Sequence, residues 1–67
     1  MEKEFKFFIY LLEFYAKEKK TTPAEVLRQL EQKNLVTFVY DMYERYHSEA
    51  IENACQDIDE LLMQKSV

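Results

Sequence analysis

Between Glu4 and Lys20 the apolar residues Phe5, Phe8, Ile9, Leu12 and Tyr15 recur three or four positions apart, the period of an α-helix with one buried face. A second apolar line, Phe7, Leu11 and Phe14, lies beside the first. The helix is therefore apolar over much of its circumference, which predicts a central position or a face covered by another molecule. Lys17, Lys19 and Lys20 gather in its last turn, where cations complement the negative end of the helix dipole, a simpler reading than a nucleic-acid patch.

Thr22, Pro23 and Glu25 then form a helix start: a hydroxyl to cap, a proline at the first helical position, and a glutamate placed to close a capping box. Val26, Leu27 and Leu30 supply the inward face of this second helix, and Asn34 is suited to the left-handed conformation that ends one. The next stretch is ambiguous by propensity, because Val36, Thr37, Phe38, Val39 and Tyr40 are β-branched or aromatic. Spacing decides for a helix: Leu35, Val39, Met42 and Tyr46 share one line, Val36, Tyr40 and Tyr43 another, and Asp41 stands four residues before Arg45.

From Glu49 onward Ile51, Ala54, Cys55, Ile58, Leu61 and Leu62 line one face, with Glu52, Asn53, Gln56, Asp59 and Glu60 opposite; Ser48 is the expected cap. The pattern predicts an all-α single domain over residues 1–67, a compact bundle of four helices at about 4–20, 22–33, 35–46 and 49–65. No glycine or proline forces a break at residues 46–49, so helices three and four stand open to being continuous. Such a helix would span about 45 Å, too long for so small a core unless another chain packs on it, which favours the broken arrangement.

Composition narrows the chemistry. With 67 residues the chain holds one core of marginal size, and it has no glycine, one proline, one cysteine and one histidine. Phosphate loops and dinucleotide fingerprints need glycine, an internal disulfide needs two cysteines, and a Cys/His zinc site lacks ligands, so no cofactor or metal is expected and a partner chain is the remaining aid to stability. The apolar run Phe7 to Leu12 is too short for a secretory signal and follows Glu2 and Glu4, and no stretch would span a membrane. A cytoplasmic protein with Cys55 reduced is expected.

Charge is uneven: residues 1–33 carry seven basic and six acidic groups (+1), and residues 34–67 carry two basic and seven acidic groups (−5), which sum to the net −4. That balance opposes phosphate contact, and the third helix offers Arg45 as its one cation against Asp41 and Glu44, so DNA binding by a helix-turn-helix is not expected. Catalytic groupings fare no better. His47, Ser48 and Glu49 are adjacent, whereas a catalytic triad converges from different directions of the chain. Asp57 and Asp59 point about 200° apart on a helix and read as solvated surface. Cys55 lies on an apolar stripe and reads as a small buried hydrophobe. No enzyme is indicated.

The segment from Tyr40 to His47 has the composition of a protein interface, with three tyrosines, a methionine and an arginine in eight residues. Tyr40, Tyr43, Glu44, Tyr46 and His47, with Glu52, Asp59 and Glu60 of the acidic last helix, are the candidate contact residues. Phe7, Leu11 and Phe14 are the candidate face for a homodimer. His47 is expected to fasten the junction of helices three and four through a hydrogen bond to a backbone carbonyl or a carboxylate.

Leu12-Glu13-Phe14-Tyr15, the threonine-led second helix, Tyr46-His47-Ser48, and Asp57-Ile58-Asp59 ten to twelve positions after His47 together resemble a family of short bacterial proteins of unknown function over nearly the whole chain. The sequence departs from that family at Pro23 and Ala50, where glycine is frequent; at Ala50 the departure bears on the break between helices three and four. Members are often encoded beside a larger protein similar to ADP-ribosyltransferases, so the resemblance implies an antitoxin-like role on a toxin-like partner. The leading expectation is a non-enzymatic protein-binding accessory module; the alternative is a homodimerising structural domain.

Overall fold

The computed structural model describes residues 2–63, and every regular element among them is helical. Five segments follow in order: α1 (Lys3–Glu18), α2 (Pro23–Gln32), α3 (Val36–Asp41), α4 (Tyr43–Tyr46) and α5 (Ile51–Met63). They pack around α1, which touches each of the other four. No helix among the described residues is long and apolar enough to cross a membrane.

Two helix ends are made by the same backbone device. Lys20 and Asn34 both adopt φ 57°, and they are the two non-glycine residues with positive φ among those described. At the end of α1, Thr21 N–H reaches the Ala16 carbonyl at 2.9 Å and Lys20 N–H the Lys17 carbonyl at 3.2 Å. At the end of α2, Leu35 N–H reaches Leu30 at 2.8 Å and Asn34 N–H reaches Glu31 at 3.1 Å. These paired bonds satisfy the last carbonyls of each helix and reverse the chain. Asn34 thus fills the expected role, and Lys20 fills it without any local side-chain preference for it.

The start of α2 is half of what the spacing predicts. Thr22 Oγ1 accepts from Glu25 N–H at 3.2 Å, but the Glu25 carboxylate does not return to Thr22; it binds the Arg28 guanidinium and accepts from Gln29 Nε2 at 3.1 Å. Arg28 and then Gln29 hold the Glu25 carboxyl down to about 2. The bidentate partner one turn ahead wins over the single backbone bond.

The expected helix at 35–46 is two short ones. Its residues are poor helix formers, α3 begins without a side-chain cap, and at Met42 (φ −83°, ψ 11°) the ladder breaks. The break also separates Asp41 from Arg45, whose guanidinium instead lies 3.9 Å from both Glu49 and Asp57. The last helix starts at Ile51 rather than Glu49, so the chain bends at residues 47–50 and α4 does not continue into α5. The longest dimension, 32 Å, leaves no room for the 45 Å rod. Ser48 does not cap α5: its hydroxyl donates to the Glu44 carbonyl at 2.8 Å and closes α4. The expected end of the last helix, at 65, lies outside the described residues.

The core contains Phe8, Leu11, Leu12, Tyr15 and Ala16 of α1, Val26 and Leu30 of α2, Val39, Tyr46, and Ala54, Cys55 and Ile58 of α5. The buried line of α1 is therefore rotated from the predicted one. Leu11 is 1% exposed, whereas Phe5 and Ile9 are 42% and 39% exposed. Leu11 cannot serve a dimer face, and Tyr46, 1% exposed, cannot serve a contact surface.

Candidate protein-binding surface

The rotation of α1 leaves an aromatic flank at its side. Phe7, Tyr10 and Phe14 fall at i, i+3 and i+7, so their rings stack along one edge of the helix: Phe7 and Tyr10 centroids are 6.3 Å apart, Tyr10 and Phe14 6.1 Å. The row continues onto α4. Phe7 meets Tyr43 edge to face at 5.6 Å and 78°, and Tyr43 stacks on His47 at 4.2 Å with the planes 2° apart. Five rings thus run Phe14, Tyr10, Phe7, Tyr43, His47 without interruption. Tyr10 is 50% exposed, His47 is exposed, and the other three are half-buried, Phe7 and Phe14 against the core.

The row is held from beneath. Phe7 and Phe14 pack on the buried cluster. His47 is fixed by its Nδ1, 2.7 Å from the Tyr43 carbonyl, the bond to a backbone carbonyl that was expected of it. Because His47 and Ser48 both address carbonyls of α4, the Ser48 hydroxyl is not directed at the imidazole, and the adjacent His47, Ser48 and Glu49 form no relay.

The structure divides the candidate residues among three settings. Tyr43 and His47 lie in the row with Phe7 and Phe14, joining part of the expected contact segment to part of the expected dimer face. Tyr40 sits apart, half-buried with its ring 5.5 Å from Phe8; burial first, then Glu2, Glu4 and Asp41, raise its phenol. Glu44, Glu52 and Glu60 are exposed. Asp59 is an internal tie, accepting from the Tyr15 hydroxyl at 2.6 Å and from Lys19 Nζ at 3.0 Å, which joins α1 to α5.

Asp57 is likewise no free surface carboxylate, since it faces Arg45 and bears on Tyr46, whose phenol is pushed up to about 12 by burial first and by the Asp57 charge next. The Tyr46 hydroxyl is fully enclosed and has no hydrogen-bond partner. Cys55 is buried, and that burial, reinforced by Glu18, Asp59 and Glu52, raises its thiol to about 11, far from a reactive thiolate.

Tyr10, an exposed ring of the row, is the residue that the sequence pattern does not single out. Its signal was present in the spacing Phe7, Tyr10, Phe14, but a polar-tipped aromatic outside both apolar lines did not stand out. Elsewhere, a shallow open depression at the α2 to α3 turn is lined by Glu31, Asn34, Val36 and Thr37 and holds no converging pair of catalytic groups. Among the described residues no cluster of three histidine, cysteine or acidic side chains is placed to hold a metal ion.

Residues 6–65 match the family described as a protein of unknown function, DUF3791, and the chain belongs to that family. Comparison with curated proteins and with solved structures gave no match.

Proposed function

We propose that this DUF3791 chain is a non-enzymatic, cytoplasmic protein-binding module whose contact surface is the aromatic row on α1 and α4. The observation that carries the reading is the exposure of Tyr10, second of five successive rings on a packed helical frame. Rigid aromatics with few rotatable bonds bury large area at small entropic cost, and exposed apolar patches of this kind mark interaction sites. The exposed carboxylates of the C-terminal half, Glu44, Glu52 and Glu60 among them, serve the rate and orientation of encounter more than affinity.

Affinity capture from the native host tests this directly. The wild type should recover a protein at stoichiometric level, and Tyr10→Glu with Tyr43→Ala should lose it while retaining helicity. Capture that is absent, or that survives both substitutions, would sink the reading. In its sharper form the partner is a toxin-like enzyme encoded nearby and the chain acts as its antitoxin, as the family resemblance implies. Co-expression with the neighbouring gene should then relieve growth arrest, and toxicity undiminished by the chain would remove the antitoxin role.

Homodimerisation is the second reading, favoured by Phe7 and Phe14, which stay half-exposed on the flank where it was expected, although Leu11 does not. Light scattering that returns a monomer mass at high micromolar concentration would remove it.

A further inference from the structure

The bend between α4 and α5 is built unlike the ends of α1 and α2. α1 and α2 end in left-handed residues, Lys20 and Asn34, whose backbone cannot continue a helix. Residues 47–50 include no positive φ, no glycine and no proline, and His47 itself remains helical at φ −76°, ψ −16°. The side-chain contacts at the bend do not oppose straightening: Ser48 Oγ to the Glu44 carbonyl at 2.8 Å, His47 Nδ1 to the Tyr43 carbonyl at 2.7 Å, and Arg45 to Glu49 at 3.9 Å all join residues four apart, as a continuous helix also would. The backbone bonds at the bend are long, 3.3 Å from Ser48 N–H to Arg45 and 3.4 Å from Glu49 N–H to Tyr46.

The intrinsic preference of the segment points the same way. Glu49 and Ala50 are strong helix formers, and a helix already present on both sides needs no new nucleus to run through them. Straightening alone would be costly, because α5 would withdraw Ala54, Cys55 and Ile58 from the core and Asp59 from Tyr15. One chain cannot recover that burial. A second copy presents an identical seat.

We propose that residues 47–50 are a hinge through which α5 is exchanged between two copies of this chain. The bend straightens, residues 43–63 become one helix of about 30 Å, and each α5 docks on the α1 of the other copy. The Tyr15 to Asp59 and Lys19 to Asp59 contacts are then remade between chains. The exchange is independent of what binds the aromatic row.

Paired charge reversal tests it. Lys19→Asp places two acids at the α1 to α5 contact of a closed monomer, and Asp59→Lys places two cations there. Each variant alone should be a destabilised monomer. Refolded together in equal amounts, they should give a dimer with one copy of each, because exchange restores opposite charges at both seats. A mixture that stays monomeric after joint refolding overturns the proposal.

Should either variant fail to fold alone, hinge variants refolded at high concentration decide the matter by sedimentation. Ser48→Ala should raise the dimer-to-monomer ratio about twofold for each junction opened, because alanine is the better helix former by roughly 0.5 kcal/mol. Ala50→Pro should abolish the dimer and leave a helical monomer, since proline inside the straight helix would clash with the preceding turn. Tyr10→Glu should leave this dimer intact, which separates it from association through the aromatic row. A dimer fraction indifferent to both hinge substitutions, or lost in Tyr10→Glu, overturns the exchange.

Discussion

The Tyr15 hydroxyl donates a 2.6 Å hydrogen bond to the Asp59 carboxylate across 44 positions of sequence, and Lys19 closes the same carboxylate from one turn further along α1. Because the Tyr15 ring is buried, removing its acceptor is worse than removing its hydroxyl. Asp59→Ala strands a desolvated donor and should cost about 1 to 3 kcal/mol, whereas Tyr15→Phe should cost about 1 kcal/mol. Urea unfolding of both variants and the double variant checks the order; equal losses would mean that the hydroxyl finds water when Asp59 is gone.

The same tie sets an acid limit. The hydrogen bond from Tyr15, followed by that from Lys19, holds the Asp59 carboxyl below its ordinary value of 3.8. A depressed folded-state value means that the unfolded chain takes up the proton first. The contribution is therefore present above 3.8 and lost as pH falls through the lower folded value. Stability measured against pH should show the gap between wild type and Asp59→Asn narrowing below that point. A gap that stays constant into strong acid would remove Asp59 from the acid response.

Tyr46 is the opposite case from Tyr15. Its hydroxyl is enclosed yet unpartnered, so Tyr46→Phe removes a desolvated polar atom while keeping the ring in the core. The variant should be neutral or more stable by up to about 1 kcal/mol, and Tyr46→Ala should cost about 3 to 5 kcal/mol as a large cavity opens. Clear destabilisation of Tyr46→Phe would show that Asp57 turns to accept the hydroxyl in solution. Because burial raises the Tyr46 phenol to about 12, the unfolded chain ionises first, so stability should fall as pH rises from its ordinary value of 10 through about 12, and Tyr46→Phe should lack that fall.

His47 sits at the exposed end of the ring row, so its bond to the Tyr43 carbonyl is shared with water. His47→Ala should lower stability by less than about 1 kcal/mol, at the low end for a hydrogen bond. Thermal melts beside partner capture give the decisive comparison. A large drop in melting with capture intact would make His47 a fastener of the junction and nothing more.

Helix content was legible because the i, i+3, i+4 spacing of α1, α2 and α5 and the cap at Thr22 are local signals. What was hidden depends on neighbours. Which of two adjacent apolar lines on α1 faces inward is fixed by where α2 to α5 dock, and only then does Leu11 enter the core while Phe5 and Ile9 remain outside. Asp57 and Asp59 read as solvated because nothing local reveals Tyr15, Lys19 or Arg45 beside them. The aromatic row joins α1 to α4 through Phe7 and Tyr43, a pairing that no single helix contains. The break at Met42 is hidden by the good periodicity of Leu35, Val39, Met42 and Tyr46, while the propensities of Val36 to Tyr40 point to a strand rather than to a break.

The left-handed residues supply a final prediction, because they differ in side chain at the same φ of 57°. A residue with a Cβ loses about 1 to 2 kcal/mol in that conformation, and asparagine offsets part of it through local hydrogen bonding, whereas lysine does not. Glycine avoids the penalty but loses about 0.5 to 1 kcal/mol through the freedom of its unfolded chain. Lys20→Gly should therefore gain about 0.5 to 1 kcal/mol, and Asn34→Gly close to nothing. Ala50→Gly serves as the control: residue 50 has no positive φ to relieve, so glycine there should lower stability. Chemical unfolding of the three variants gives the ranking. If Ala50→Gly stabilises as much as Lys20→Gly, the bend at 47–50 would be strained in the same way as the end of α1, and the contrast between the two turns would fall.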